Sequence, residues 1–251
     1  MKKNKFMKLA SGLLVLCLMT TCVIGATLAK YVTADTKTDQ ARVAKWGVRI
    51  TAAANSAFKT SYDKDESGTG APALTVVSSN DSEKVVAPGT KGNAVQFTIT
   101  GTPEVAVRLS FSMTDVKEVK LAAGAYVNTD DATVTLDDDY YPVVFTLNNG
   151  SSDIATGKLS DIATFLSTYT VDFAANTNLS TAVATYTLSW AWAFETGASA
   201  EDKAKNNKAD SILGDLADGV GGITKGGSAI APEDYSTTVS YNLTITATQI
   251  D

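Results

Sequence analysis

The sequence is 251 residues long, contains no histidine and carries a formal net charge of −6. Without histidine, Ser-His-Asp and Cys-His nucleophile systems, His-x-Glu deaminase sites and His-Glu-x-x-His zinc sites are all excluded. The acidic balance disfavours nucleic acid and anionic lipid as partners and favours solubility.

In chain order, the first element is a secretory leader. Lys2, Lys3, Lys5 and Lys8 make a basic start, residues 9–24 form an almost uncharged apolar run, and Gly25, Ala26, Thr27 and Ala29 are small. Signal peptidases require small side chains three residues before the cut and immediately before it, because their pockets there are shallow. Thr27 and Ala29 meet that spacing, so residues 1–29 read as a signal peptide cut after Ala29, with Ala26 as a second position. The competing reading is an uncleaved anchor, for which the apolar run is short against a span of about 20 residues. Both cysteines, Cys17 and Cys22, fall in this leader, and Leu16 and Thr21 precede them where a lipoprotein site wants a small residue. The remainder therefore has no disulfide and depends on burial for its stability. The leader takes four lysines and no acid with it, which leaves 222 residues with a net charge of −10. No wall-sorting motif precedes Asp251 and no second long apolar stretch is present. The expected product is secreted to the extracellular matrix or cell surface, with no membrane span after cleavage.

Residues 30–251 read as a single β-sandwich domain. Residues 30–41, opening with Lys30, Tyr31, Val32 and Thr33, hold few large apolar groups and gain little by folding onto their own core. Trp46, Val48 and Ile50 then begin a period-two pattern, and residues 55–72 read as a polar, mobile loop. Alternation recurs at Val95, Phe97 and Ile99, and at Val105, Val107, Leu109, Phe111 and Met113. It returns at Val143, Phe145 and Leu147, at Tyr186, Leu188, Trp190, Trp192 and Phe194, and at Val239, Tyr241, Leu243 and Ile245. Successive strand side chains point to opposite faces, so each run has one dry and one wet face, as antiparallel sheets packed face to face require. Turns are expected at Pro88-Gly89, Gly101-Thr102-Pro103 and Asn148-Asn149-Gly150. A helical insertion is expected over 199–218, with Ser199 and Asp202 as reciprocal caps, Ala209, Ile212, Leu213 and Leu216 as its apolar stripe and Gly219 as its stop. A shorter helix is expected over 160–167, and residues 219–227 read as a glycine-rich loop. The fold class is all-β, an antiparallel two-sheet sandwich with short helical insertions.

Four patterns raise chemistry. Asp63 and Asp65, with Gly68, imitate the front half of a calcium loop, but position twelve is Leu74, which cannot supply the bidentate carboxylate; a solvated loop is the plainer reading. Asp137-Asp138-Asp139 could hold a cation, but an acidic turn leading into Tyr140 and Tyr141 is the plainer reading. Residues 222–228 lack the spacing of a phosphate loop. Trp190 and Trp192 share a face with Tyr186, Leu188 and Phe194, which favours core packing over a carbohydrate platform. No cofactor, metal or catalytic residue is assigned.

Several of these features together resemble the TasA/camelysin family of exported fibre proteins, which a dedicated signal peptidase often processes. The resemblance runs from Gly25-Ala26-Thr27-Leu28-Ala29-Lys30-Tyr31-Val32 into residues 41–50. It continues at Pro88-Gly89, at Trp190-Ala191-Trp192-Ala193-Phe194-Glu195, at Ala209-Asp210-Ser211-Ile212-Leu213-Gly214 and at Ile245-Thr246-Ala247-Thr248-Gln249. Lys30-Tyr31 stands where the family has an aromatic pair, and Asp35 stands later than the family's acid. The resemblance implies a jelly-roll sandwich whose subunits self-associate into biofilm-matrix filaments, the N-terminal segment of one adding a strand to the next, with an accessory matrix protein as a further partner. Some members carry a metallopeptidase designation, but this chain has no matching zinc ligands and is expected not to be an enzyme. Two other functions stand beside this one: a monomeric surface adhesin or carbohydrate-binding module, and a carboxylate-dependent hydrolase.

Overall fold

A computed structural model describes residue 14 and residues 41–53, 57–62, 75–80, 82–128, 133–182 and 185–250. The chain divides into Met1–Val43 and a compact unit, Ala44–Asp251. The compact unit is mainly β, with several antiparallel sheets and three helices.

The chain enters through an exposed extended stretch and forms β1 (Arg49–Ala52), β2 (Ser61–Tyr62) and β3 (Val76–Val77). Two long strands follow, β4 (Lys91–Thr100) and β5 (Ala106–Lys117), then the short β6 (Lys120–Leu121), β7 (Gly124–Val127) and β8 (Thr133–Leu136). The hairpin of β9 (Val143–Asn148) and β10 (Asp153–Gly157) turns at Asn149-Gly150, as its sequence demands, and leads into helix α1 (Leu159–Thr168). Next come β11 (Thr170–Phe173), the single turn α2 (Leu179–Ala182), β12 (Tyr186–Trp192) and the long helix α3 (Ala200–Ala217). The chain ends with β13 (Thr224–Lys225), β14 (Ser228–Ala229), β15 (Tyr235–Ser236) and β16 (Ser240–Ile250).

Two sheets hold most of the core. One runs β1-β4-β12-β9-β10 and the other β11-β5-β16, both antiparallel. Their inward rows meet in one hydrophobic cluster. Phe111 of β5 lies 4.9 Å from Tyr186 of β12, and Phe145 of β9 meets Tyr241 of β16 edge-on at 6.4 Å. Each large side chain so buried contributes about 1.5–3 kcal/mol.

The alternation expected for β5, β9 and β12 is present: Val107, Leu109, Phe111, Phe145, Leu147, Tyr186, Leu188, Trp190 and Trp192 are all buried. Three expectations are corrected. Trp46 precedes β1 and remains 39% exposed, because the strand starts only at Arg49. On β4 the register against β12 shifts between Leu188 and Ser189, so Ala94 is the extra residue of a bulge and is buried, while Val95 stays half-exposed. A bulge breaks strict alternation in this way. Within residues 55–72, expected to be mobile, residues 57–62 are anchored: the Tyr62 ring is buried edge-on against Trp190 at 5.8 Å, and its hydroxyl donates to the Val85 carbonyl at 3.0 Å.

The helices follow their caps. On α3, Ser199 Oγ accepts from the Asp202 N–H at 3.0 Å while Asp202 Oδ2 accepts from the Ser199 N–H at 3.1 Å, the reciprocal box expected. Ala209, Ile212 and Leu213 are its buried face, and Gly219 follows at φ +73°. Helix α1 has no cap on its own chain segment; instead the Glu118 carboxylate, 42 residues earlier, accepts from the Ser160 N–H at 2.7 Å. The stretch read as a glycine-rich loop is corrected: it carries the β13–β14 hairpin, which pairs with β7 and buries Ile223.

One crossing fixes where the N-terminal stretch meets the sheets. The Lys45 N–H donates to Glu104 Oε2, and the Glu104 N–H to the Lys45 carbonyl, both at 2.9 Å. Just beyond, a Cβ on Gly101 (φ +123°) would lie 1.7 Å from the Gly47 carbonyl oxygen. We expect Gly101→Ala to cost about 2–4 kcal/mol, from backbone strain and overpacking together, read as a lowered urea midpoint at unchanged slope. A variant as stable as the parent rules out this crossing.

Candidate functional site

The outstanding surface feature is β16. It is 11 residues long, pairs with β5 on one side, and has no strand on its other side among the described residues. The other edges of the two large sheets are much shorter: β1 and β11 have 4 residues each and β10 has 5. They also carry charges, Arg49, Asp172 and Asp153, of the kind that blunts edge pairing. β16, Ser-Tyr-Asn-Leu-Thr-Ile-Thr-Ala-Thr-Gln-Ile, has neither a charge nor a proline. A long, uncharged edge is a template for another strand.

Its inward row is incompletely covered. Tyr241, Leu243, Ile245 and Ala247 are each only half-buried, whereas Val107 and Leu109 on the neighbouring β5 are 0% exposed. Alongside runs an open groove of about 400 Å³, walled by Val239, Tyr241 and Leu243 on one side, Val95 and Phe97 of β4 on the other, and Phe58. The β4 bulge brings both Ala94 and Val95 to this wall. Lys84 is the one charged residue among those lining it. Opposite Tyr241, β5 carries the extra residue of a second bulge, where Asp115 takes φ +53° and accepts from Asn242 Nδ2 at 2.6 Å.

The two tryptophans of β12 have structural work. Trp190 is 2% and Trp192 5% exposed, so neither ring offers a stacking platform to a sugar. Trp190 Nε1 donates to the Ala57 carbonyl at 2.8 Å, and its ring packs on Phe58 at 5.3 Å, which positions one wall of the groove. Trp192 Nε1 donates to Asp210 Oδ1 on α3 at 3.3 Å.

Asp210 is a half-buried carboxylate that sequence reading did not single out as a site; its position after Ala209 beside the apolar helix face was the available signal. Tyr140 Oη donates to the same oxygen at 2.8 Å. Burial pushes the Asp210 carboxyl up to about 6, against the pull of its bonds from Tyr140 and Trp192. Burial and the Asp210 charge push the Tyr140 phenol up, so Tyr140 acts here as a donor. The adjoining cavity of about 140 Å³ is lined by Val86, Pro88, Val119, Leu213 and other residues, with no second acid. A pair of carboxylates for hydrolysis is not assembled there.

The acidic turn behaves as a turn. Asp137 binds Lys205 at 2.6 Å, and Asp139 accepts from the Ala123 N–H at 2.9 Å. No group of three metal-ligating side chains converges among the described residues. The cleavage positions Thr27 and Ala29, the segment Lys30, Tyr31, Val32 and Thr33, and the loop acids Asp63 and Asp65 lie outside the described residues. No protein-family model matches the sequence, and neither a curated protein nor a solved structure matches it.

The Asp210 carboxyl titrates higher folded than unfolded, so its contribution to stability is full below pH ~4 and lost as pH rises through about 6. The loss amounts to about 3 kcal/mol. Asp210→Asn keeps an acceptor for Tyr140 and has no charge to bury. Its stability relative to the parent should therefore rise between pH 5 and pH 8, as followed by urea melts. A difference that stays constant across that range rules out a buried ionisation at Asp210.

Proposed function

We propose that this chain is an exported structural subunit of extracellular, biofilm-matrix-type fibres, in which the N-terminal segment of one copy completes the sheet of the next. The finer fold belongs to the same reading: the two large sheets form a jelly-roll-like sandwich left open along β16. The observation that carries the proposal is the pairing of that long uncharged edge with an apolar groove. Main-chain hydrogen bonds to β16 would each contribute about 1 kcal/mol net, and side chains of the incoming strand would cover the half-buried row.

Three further features support it. The leader pattern with small residues at Thr27 and Ala29 directs export, and its removal would free residues 30–41. Among the described residues no helix is long and apolar enough to cross a membrane. The quoted motifs resemble those of the TasA/camelysin fibre proteins. A donor site and an acceptor site on different faces form a heterologous contact, which propagates into a filament rather than closing.

Deleting residues 30–39 should abolish filaments seen by electron microscopy of the exported protein. Leu243→Lys should do the same, by placing a charge in the acceptor row, while leaving the far-ultraviolet circular dichroism unchanged. Normal filaments from the deletion would end strand donation. Filaments from Leu243→Lys would move the acceptor away from β16.

A further inference from the structure

We infer that the cavity between helix α3 and the Pro88-Gly89 turn is a binding site for a small primary alkylammonium ion, its charge paired with Asp210 and its chain lying on the apolar lining. The site is independent of the fibre reading and makes no use of β16.

Asp210 is a carboxylate without a cation. Tyr140 and Trp192 both donate to its Oδ1, at 2.8 and 3.3 Å, and among the described residues nothing donates to its other oxygen. The lysines of its own helix are committed elsewhere. Lys203 pairs with Glu195, Lys205 pairs with Asp137, and Lys208 donates to the Thr133 carbonyl at 3.2 Å. The last turn of α3 has no basic residue, and Asp218 caps it, so the negative end of the helix dipole is reinforced rather than offset. A carboxylate held partly out of water is ordinarily balanced by a cation, and one that is not marks a place for a ligand.

The cavity beside it selects for size and polarity. Asp210 is the one charged residue lining it. The lining runs from the interior, at Val119, Trp192 and Leu213, to the surface at Gly214 and Ala217. Its volume is about 140 Å³. A cavity of about 150 Å³ in another protein holds a benzene ring, so about five or six heavy atoms fit here. One charge at one side of an apolar space of that size matches a short alkyl chain ending in an ammonium group.

The wall opposite α3 is preformed. Thr90 Oγ1 donates to the Ala87 carbonyl at 2.6 Å and accepts from the Ala87 N–H at 3.1 Å, which closes the turn on itself. The turn is then fastened to β12, because the Gly89 N–H donates to the Trp192 carbonyl and the Trp192 N–H to the Thr90 carbonyl, both at 2.8 Å. A wall held in this way needs no ordering when a ligand enters.

Gly214 keeps the opening clear. Glycine is a poor helix former, and Gly214 stands inside α3 without a positive φ. A Cβ at this position would meet nothing within 4 Å. Neither backbone conformation nor packing within the chain calls for glycine here; the missing side chain leaves the surface end of the cavity accessible.

Calorimetric titration of the full-length chain with n-butylammonium chloride tests this, with sodium chloride as the blank. It is done at pH 8, above the titration of Asp210 and below that of an alkylamine. One ion should bind per chain. Asp210→Asn should weaken binding about tenfold or more, and 1-butanol, of the same size without the charge, should bind the parent about tenfold more weakly than the ammonium does. Gly214→Leu, which places a side chain at the opening from an ordinary helical position, should abolish binding while its urea midpoint stays at or above that of the parent. Equal binding to Asp210→Asn, or equal binding of 1-butanol, overturns the charge pairing. Undiminished binding to Gly214→Leu overturns the cavity as the site. No heat beyond the sodium chloride blank at about 10 mM butylammonium overturns the site altogether.

Discussion

Two outlying parts of this molecule, the segment at Ala57 and helix α3, are tied to β12. The strand sits in the middle of the five-stranded sheet and sends Tyr186, Leu188, Trp190 and Trp192 to one side. An indole ring is large enough to fill the interior and still carries one donor that must find an acceptor when buried. Here each donor is spent on a different outlying element. Trp190 holds the carbonyl of Ala57, and so the segment that walls the groove; Trp192 holds Asp210, and so helix α3. Residues 30–251 contain no cysteine, so these two bonds and the burial around them hold the two outlying parts in place without a cross-link.

Asp210 shows the cost of that arrangement. A half-buried carboxylate loses part of its hydration, which two hydrogen bonds restore only in part, and its raised titration records the shortfall. An asparagine would satisfy Tyr140 without that penalty. The acid brings instead a negative charge facing two donors, and charge-assisted bonds are roughly twice as strong as neutral ones.

Much of the interior was legible because period-two alternation survives wherever a strand has one dry face. It was legible in β5, β9 and β12, and in the capping box of α3, where Ser199 and Asp202 stand at the spacing the geometry needs. What escaped was set by long-range contacts. The cap of α1 comes from Glu118, and no local rule points to it. The bulge at Ala94 depends on what β12 offers opposite. Tyr62 read as part of a polar loop because its partner, Trp190, lies more than a hundred residues away. The groove itself was invisible: the alternation of β16 looks the same whether or not a neighbour covers its far edge. Only the half-exposure of Tyr241, Leu243 and Ile245, against full burial on β5, separates an edge from a centre.

The outward row of the three-stranded sheet is polar on β16, the open edge, and on its neighbour β5. Opposite the apolar row, β16 presents Ser240, Asn242, Thr244, Thr246 and Thr248, and β5 answers with Ser110, Ser112 and Thr114. The Arg108 guanidinium, bound to Asp172 through two bonds of 2.7 Å, is the charged group on that face of the β5–β11 pair. Such a surface is satisfied by water and offers little apolar area to a neighbour. The net charge of −10 on residues 30–251 adds mutual repulsion between copies approaching side by side. Among the described edges of the two large sheets, the longest uncharged line of unpaired main-chain groups is β16, and the incompletely covered apolar row lies directly beside it. Under the proposed assembly, attraction is therefore concentrated on one narrow feature while the broad faces repel or stay wetted, and growth is restricted to a single dimension.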